Sequence, residues 1–370
     1  MQLLFFFNIF QKNPPSFISL LSPLMQTSPK YSLHHLRHFK ISTILVSQLL
    51  NPQATFATKP LKIIIDCDIG LGQLHDKQNN IPADIDDAYV LINALNSPQF
   101  EMLGLTTVFG NTDTTSANQS LDLLLGKMNK TEIPRQAGAQ GPSQASEPCP
   151  LGSKEAANFL FSKLKSTPAH ILAIGPLTNI SCLLSRFKNV KKNIKSLLVV
   201  MGQSKGISFA IKQTPLSDFN FEHDVAAVQK IIAEQIPTIF FPFELTNSSF
   251  IERSELMRLG EFNNLAKHVF FSSKPFLDFW QKTFNEDGFH PWDSATLAYL
   301  KNPSWFKCDN RLMVIEKNKN KIKLSAKPAA ERTPWKFCYR FRDKDSQVEF
   351  QQHVLESFKK NSDKFSQYYN

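Results

Sequence analysis

Continuous apolar runs recur along the chain and predict the strands of a buried sheet. The first run, LKIII at 61–65, is rich in β-branched residues and shows no polar alternation, which is typical of a strand covered on both faces. Similar runs predict further strands at 101–108, 170–174, 196–201 and 237–243. The pattern therefore favours a sheet that lies inside the protein.

Stretches with helical spacing separate these apolar runs. They predict helices at 86–95, 114–127, 153–165, 177–187 and 224–234. Alternation of strand and helix predicts an α/β fold with an open, mostly parallel sheet and helices on both faces. Ligands of such sheets bind beyond the carboxyl ends of the strands, so residues that directly follow a strand are candidate site residues.

The last part of the chain departs from this alternation. Region 251–300 has helical spacing and is rich in Phe and Trp, while 311–316 and 321–325 predict a hairpin. A closing helix is predicted at 347–360. Because no repeat or low-complexity linker interrupts the pattern, we predict one domain at 58–370.

Residues 1–57 differ from this domain and resemble a targeting leader. Basic residues between Lys30 and Lys40 precede the apolar stretch 41–50, and the small-residue segment 54–57 follows it. This order predicts a secretory signal cleaved after Ala57, with Met25 as an alternative start. The apolar stretch is shorter than the ~20 residues that span a bilayer, so no stable membrane insertion is expected. A mitochondrial presequence, a cytoplasmic protein or a disordered tail are the alternatives to export.

Composition and charge limit the classes of partner that the domain is expected to bind. The chain is 42% hydrophobic and 20% charged, as expected for a globular protein with a core. Six basic residues precede Asp66, the first acidic residue, and account for much of the net charge of +10. No basic stripe interleaved with aromatics is present, so no nucleic-acid binding is expected. The sequence leaves the oligomeric state open, and a homo-oligomer is one state it allows.

The five cysteines form no CxxC motif and no Cys/His cluster. A structural zinc site is therefore not expected. Export would permit disulfides, whose pairing the spacing does not decide, and the odd count leaves at least one thiol free.

Two groups of aspartates follow the first predicted strand. The strand ends in DCDIG at 66–70, and DIDDA at 84–88 opens the next helix. One such group alone is explained by helix capping. Both together, at a strand end and a helix start, predict a hard cation with oxygen ligands, and calcium accepts the larger and more irregular ligand shell.

These motifs resemble the inosine–uridine-preferring nucleoside hydrolase family, whose signature reads DxDxGxDDA. In this chain an inserted loop, 71–83, separates the two halves of the signature. Other segments resemble family motifs in the same order along the chain: TTVFGN at 106–111, GPLTN at 175–179, DFN at 218–220 and WDSATLA at 292–298. The resemblance extends from about Leu61 to the C-terminal helix.

The resemblance implies a calcium-dependent N-ribohydrolase with a small-molecule nucleoside substrate. It implies that Asp68 takes the proton of the attacking water, whose pKa a metal ion lowers. Nearby carboxylates would favour the positive charge that develops on the sugar. The metal ligands it implies are Asp68, Asp87, Asp293 and the main-chain carbonyl of Ile174. The substrate-binding residues it implies are Asp86, Asn111, Asp218 and Asn220, with Trp292 at the base.

Four departures from the family pattern affect the substrate pocket. Asp218 stands where the family has glutamate, so its contact to the ribose 5′ side is expected to be lost or water-mediated. Lys212 stands where an asparagine is expected; it is either a ligand for an acidic group such as a phosphate or simply a solvated side chain. No HGxxG-like segment lies between Gly138 and Gly152. The fourth departure is Trp292, where many members have a leaving-group histidine.

Trp292 and the nearby His290 each have a functional and a structural interpretation. Trp292 stacks on a purine or is a packed core residue, since indole cannot donate a proton as imidazole does. His290 is a displaced acid or a surface loop residue. We therefore predict hydrolysis of a ribonucleoside or a related ribosyl compound, with purines slightly favoured. One alternative is a catalytically impaired homologue that only binds calcium and a ribose-like ligand. A low-ranked alternative is a phosphatase of the haloacid dehalogenase type, since those enzymes also carry DxD directly after their first strand.

Overall fold

The computed structural model describes residues 59–144, 146–318, 321–329 and 333–359. The predicted leader lies outside the described residues, which belong to the unit that runs from Lys59 to Asn370. The strands are β1 (Leu61–Cys67), β2 (Leu74–Asp76), β3 (Ile81–Pro82), β4 (Phe100–Thr107), β5 (Arg135–Gln136), β6 (Ala169–Ala173), β7 (Ile194–Val200), β8 (Gln203–Ser204), β9 (Ala210–Ile211), β10 (Thr214–Pro215), β11 (Thr238–Phe241), β12 (Ile251–Glu252), β13 (Gly288–Phe289), β14 (Phe306–Asn318), β15 (Lys321–Pro328) and β16 (Trp335–Phe341).

The α-helices alternate with the strands over most of the described chain. They are α1 (Asp86–Asn96), α2 (Thr114–Lys127), α3 (Ser153–Leu164), α4 (Thr178–Arg186), α5 (Phe219–His223), α6 (Val225–Glu234), α7 (Phe243–Thr246), α8 (Arg253–Leu259), α9 (Asn264–Phe284), α10 (Ser294–Lys301) and α11 (Lys344–Glu356). Short 3-10 helices occupy Lys188–Asn193 and Pro303–Trp305. Within the described part of the chain, no helix combines the length and the apolar character needed to cross a bilayer.

The central sheet has ten strands in the order β5-β4-β1-β6-β7-β11-β16-β14-β15-β8. The neighbouring strands from β5 to β16 are all parallel, whereas β14 runs antiparallel to both β16 and β15. The predicted open, mostly parallel sheet is therefore confirmed. Because the parallel strands share one direction, the residues after β1, β4, β6 and β7 meet at one edge of the sheet.

Alternate residues of β1 enter different halves of the core. Ile63 and Ile65 pack in one apolar cluster and Ile64 in the other, and all three side chains are fully buried. A strand can bury successive side chains in this way only when both faces of the sheet are covered. This is why the β1 sequence is continuously apolar.

Strand β16 was not among the predicted strands. Its sequence WKFCYRF places exposed Lys336 and Arg340 between buried aromatic residues, so it lacks the continuous apolar run of the other parallel strands. It lies where the sheet changes from parallel to antiparallel pairing. The predicted hairpin is present as β14 and β15, and it extends the same sheet.

Two disulfides join elements that are distant in sequence. Cys149 pairs with Cys182 and Cys308 pairs with Cys338, while Cys67 is a buried free thiol. The second disulfide links the neighbouring strands β14 and β16. This pairing agrees with the expectation of at least one free thiol.

Candidate active site

A cavity of about 360 Å³ opens at the carboxyl edge of the parallel strands. Its wall includes Asp68 after β1, Asn111 after β4 and Ile174 after β6. The remaining site residues predicted from the sequence also line it: Asp86, Asp87, Asp218, Asn220, Trp292 and Asp293. The fold therefore brings every predicted site residue to one cavity.

Buried carboxylates form one part of the cavity wall. Oxygen atoms of Asp86, Asp87 and Asp293 lie within 4.8 Å of one another. The main-chain N–H of Asp293 donates to Asp86 Oδ2 at 3.0 Å. Asp68 lies in the same wall but outside this closest group, and its Oδ2 accepts the N–H of Asn111 at 2.7 Å. The closest group therefore contains two of the predicted metal ligands, Asp87 and Asp293, together with Asp86, which was predicted to bind the ribose.

Burial and mutual repulsion disfavour the charged forms of these acids. Burial, together with the charges of Asp86 and Asp66, raises the pKa of Asp68 to about 8, although the hydrogen bond from Asn111 opposes the shift. Burial also raises the pKa of Asp86 to about 6. Burial and then the neighbouring carboxylates raise the pKa of Asp87 and Asp293 well above the usual range. A cation bound among these oxygens would offset the repulsion between the carboxylates and favour their charged forms.

The donor set fits a hard divalent cation. Asp87 Oδ1 is buried and accepts no hydrogen bond within the described residues. Buried polar atoms are normally paired, so this oxygen is available to a ligand. Carboxylate oxygens are the ligands that Ca²⁺ and Mg²⁺ prefer, and the carbonyl of Ile174 lies in the same wall.

Gly110 and Gly175 make room for the Asp68 carboxylate. A Cβ on Gly110 would lie 2.2 Å from Asp68 Oδ2, and a Cβ on Gly175 would lie 3.0 Å from Asp68 Cγ. Gly110 also has a φ of +149°, which L side chains rarely adopt. These glycines belong to the TTVFGN and GPLTN segments, so both motifs leave the space that the Asp68 side chain occupies.

Gly110→Ala is expected to reduce kcat by at least about 100-fold, because a misplacement of about 1 Å near the reacting atoms costs that much. The added methyl group would displace the Asp68 carboxylate. Turnover of the best nucleoside substrate measures the effect. Gly141→Ala is the matched control, since its Cβ would meet no atom within 4 Å. Equal activity of both variants would contradict the seating role of Gly110.

The side chains of Asn111 and Asn220, both predicted to bind the ribose, form hydrogen bonds with main-chain groups. Asn111 Oδ1 accepts the N–H of Asp84 at 2.7 Å, and its Nδ2 donates to the carbonyl of Asp84 at 2.9 Å. Asn111 therefore fixes the DIDDA segment against the strand β4 end. Asn220 Nδ2 donates to the carbonyls of Ile174 and Val200, both at 3.2 Å, which leaves its Oδ1 for a ligand.

Asp218 is also engaged by the main chain. Its Oδ2 accepts the N–H of Gly202 at 2.7 Å. Burial raises the pKa of Asp218 to about 7 against the effect of that hydrogen bond. Asp218 lines the cavity, where its second oxygen is left for a polar group of a ligand.

Aromatic side chains form another part of the cavity wall. Phe276, Trp280 and Phe284 of α9 line it together with Phe219 and Trp292. Trp280 and Trp292 contact each other edge to face, with ring centroids 5.6 Å apart. The Nε1–H groups of both indoles are buried and have no acceptor within the described residues. These side chains therefore offer apolar faces and two hydrogen-bond donors.

The structure supports neither interpretation of His290. It is 6% exposed, so it is not a surface loop residue. Its Nδ1 lies 2.8 Å from the carbonyl of Ser249, and its Nε2 lies 3.1 Å from Glu286 Oε2. Its ring is parallel to that of Trp292, but it is not among the residues that line the cavity. It supports Trp292 and has no free nitrogen to act as a displaced acid.

Lys212 has a role that the sequence analysis did not consider. Its Nζ donates to the carbonyls of Phe284 and Asn285, at 3.0 and 2.7 Å. These carbonyls lie at the carboxyl end of α9, where a cation is favourable. Lys212 therefore caps the helix that carries the aromatic wall.

The inserted loop contributes residues that the sequence analysis missed. Residues 71–83 contain the hairpin of β2 and β3, and His75, Ile81 and Pro82 line the cavity. The insertion was visible in the sequence, but no pattern in it indicated where it folds. The aromatic residues of α9 were likewise visible only as a Phe- and Trp-rich region.

Comparison with known proteins gives one consistent family. The family model described as inosine-uridine preferring nucleoside hydrolase matches residues 63–353. "Probable uridine nucleosidase 1" of Oryza sativa subsp. japonica is 25% identical over 281 residues, which cover 69% of this chain and 81% of that protein. "Pyrimidine-specific ribonucleoside hydrolase RihA" of Enterobacter sp. (strain 638) is 25% identical over 283 residues, which cover 69% of this chain and 84% of that protein.

Solved structures share the fold at lower identity. The plant nucleoside hydrolase PpNRh1 superposes with a TM-score of 0.66 and 19% identity, covering 80% of this chain and 99% of that one. The purine-preferring ribonucleoside hydrolase from Gardnerella vaginalis gives a TM-score of 0.66 and 16% identity, covering 80% of this chain and 99% of that one. Both comparisons establish the architecture of the chain.

Proposed function

The chain belongs to the inosine-uridine preferring nucleoside hydrolase family, as its motifs predicted, and from this premise we propose that it is an N-ribohydrolase. It would cleave the N-glycosidic bond of a ribonucleoside to give a free base and ribose. The observation that carries the proposal is one cavity whose wall combines polar carboxylates and amides with aromatic rings. A ribose and a base have these two chemical characters. Family membership replaces the phosphatase hypothesis.

The proposed cofactor is calcium. Asp86, Asp87 and Asp293 would hold it, with Asp68 and the carbonyl of Ile174 in the same wall. When bound, a divalent cation lowers the pKa of a water molecule and orients hydroxyl groups of the sugar. The unpaired Asp87 Oδ1 and the repulsion among the buried carboxylates support this proposal.

Different residues of the chain would carry out the remaining steps of the reaction. Asp68 takes a proton from the attacking water, because its carboxylate lines the same cavity as the proposed calcium ligands. Asp218 and Asn220 orient the ribose and so convert binding energy into position. The buried carboxylates favour the positive charge that develops on the sugar ring.

Purine nucleosides are the proposed preference. Trp280 and Trp292 offer aromatic surface and two unpaired indole N–H donors to a large base with ring acceptors. The names of the related proteins cover both classes of base, so this proposal rests on the cavity. A pyrimidine preference in the substrate panel would overturn it.

Reducing-sugar release from a panel of purine and pyrimidine nucleosides, with and without a chelator, tests the function. Release that a chelator abolishes and calcium restores is the expected result. Stabilisation by ribose analogues without any release of base or sugar would instead indicate the alternative, a homologue that binds calcium and a ribose-like ligand. Haloacid-dehalogenase chemistry would require phosphate release, which is not expected.

The metal site predicts an unusual pH dependence of stability. Free carboxyls release protons near pH ~4 in an unfolded chain, whereas Asp68 without a cation holds its proton to about pH 8. The folded state then binds more protons than the unfolded state, so the free energy of unfolding falls as the pH rises from ~4 to ~8. Calcium at 100 times its Kd would add about 2.7 kcal/mol.

Thermal unfolding at pH 5 and pH 8, in chelator and in calcium, measures this dependence. The gain in Tm from calcium is expected to be larger at pH 8, where protons no longer compete for the carboxylates. Identical gains at both pH values would contradict a metal site built from these acids.

We further propose that the protein is exported. The acid-free leader 1–57 has the order of a secretory signal, and the two disulfides suit an oxidising compartment. Expression of the full chain with N-terminal sequencing of the product should give Thr58 as the first residue. An uncleaved cytoplasmic product would overturn the proposal.

A further inference from the structure

The inserted hairpin places a histidine in the substrate cavity. His75 lies in β2, and it is the histidine that lines the cavity among the described residues. The family's leaving-group histidine is replaced by Trp292, which cannot donate a proton from its ring nitrogen in this role. The chain therefore lacks an imidazole at position 292 but has one at position 75 in the inserted hairpin.

The hairpin is held in place by contacts on several sides. Thr112 Oγ1 donates to the carbonyl of Leu74 at 3.0 Å, and Ser120 Oγ donates to the carbonyl of Leu71 at 3.2 Å. Lys77 forms an ion pair with Asp113 at 2.7 Å. Because Thr112, Asp113 and Ser120 belong to the segment that follows β4, the hairpin is fixed to the same part of the fold as Asn111.

The contact of His75 with Asn111 determines which ring nitrogen is available. Nδ1 of His75 lies 3.1 Å from the main-chain carbonyl oxygen of Asn111. A carbonyl oxygen only accepts hydrogen bonds, so Nδ1 carries a hydrogen and donates it. Nε2 is left as the nitrogen that can exchange a proton with a ligand.

His75 is exposed at the cavity wall and contacts residues of two chemical characters there. Through Nδ1 it contacts Asn111, whose side chain is polar. Its ring also meets the aromatic ring of Phe219 edge to face at 5.5 Å. In a nucleoside the bond between C1′ and the base nitrogen joins a polar sugar to an aromatic base. A substrate that matched the polar and aromatic groups around His75 would bring this bond within its reach.

We propose that His75 is the leaving-group acid of this enzyme, an inference that rests on the proposed N-ribohydrolase function. As the C1′–N bond breaks, its electron pair passes to the base, and the proton on Nε2 of His75 is transferred to a nitrogen of the base. The water oxygen bonds to C1′, and the water proton is taken by Asp68. Solvent then takes the proton from Asp68 and returns a proton to His75, so the sum is nucleoside plus water giving base plus ribose.

The test compares two substrates with different needs for an acid in the full-chain protein. His75→Gln is expected to lower kcat on purine nucleosides by about 10²- to 10⁴-fold, the usual effect of removing a general acid. Hydrolysis of p-nitrophenyl riboside is expected to stay at the wild-type rate, because p-nitrophenolate leaves as a stable anion without protonation. Gln is chosen because its side-chain amide can still donate to the Asn111 carbonyl.

Gln78→Ala is the matched control at an exposed position of the same hairpin, and both substrates should be cleaved at wild-type rates. An equal loss on both substrates in His75→Gln would show that His75 only positions the hairpin, and would overturn the proposal. Unchanged nucleoside hydrolysis in His75→Gln would also overturn it, while the N-ribohydrolase function would stand. If the wild type cleaved neither substrate, the function itself would be refuted.

Discussion

Asp68→Asn is expected to lower kcat for nucleoside hydrolysis by at least about 10³-fold, within the range for loss of a general base. Asparagine keeps the size of the side chain but cannot take a proton from water. Its Oδ1 can still accept the N–H of Asn111, the bond that Asp68 Oδ2 makes at 2.7 Å. Steady-state kinetics at saturating calcium and substrate measures the effect.

The fold of the Asp68→Asn variant should survive. Without calcium, and at a pH above the Asp68 pKa of about 8, the substitution removes a buried negative charge from a group of buried carboxylates, so the Tm should equal or exceed that of the wild type. Asp122→Asn, on an exposed residue paired with Arg135, is the control for the same chemical change. Wild-type turnover in Asp68→Asn would refute the assignment of the base.

Much of the fold could be predicted because burial on both faces leaves a clear mark in sequence. The run LKIII became β1, whose alternate residues enter two cores. The WKFCYRF segment carries no such mark, since Lys336 and Arg340 reach solvent while Phe337 and Cys338 between them are buried. A strand at a change from parallel to antiparallel pairing therefore resembles a surface segment.

The carboxylates of the site could also be predicted, because aspartates this close together repel one another unless a cation lies among them. The aromatic residues of the cavity wall could not be predicted. Whether Trp292 faced a cavity or a core depended on its tertiary contacts with α9, which the sequence pattern does not show. The structure shows it doing both, because it lines the cavity and packs against the core. His75 was hidden for the same reason, since the position of an inserted hairpin is set by partners such as Thr112 and Asn111.

Asp293→Asn is expected to weaken calcium binding by more than about 100-fold, because loss of a residue that merely supports a metal ligand already costs 10- to 100-fold. Asp293 shares the closest group of oxygens with Asp86 and Asp87, and asparagine would remove one negative charge from it. Calcium titration followed by calorimetry measures the affinity. At micromolar calcium the variant should be nearly inactive.

The two aspartate variants should respond differently when calcium is raised. Asp293→Asn keeps the base Asp68, so millimolar calcium should refill the site and restore a large part of kcat. Asp68→Asn should stay inactive at any calcium concentration, because filling the site does not replace the proton acceptor. Recovery of Asp68→Asn by calcium would show that Asp68 acts only as a metal ligand. Failure of Asp293→Asn to recover, despite full calcium occupancy, would mean that Asp293 contacts the substrate directly.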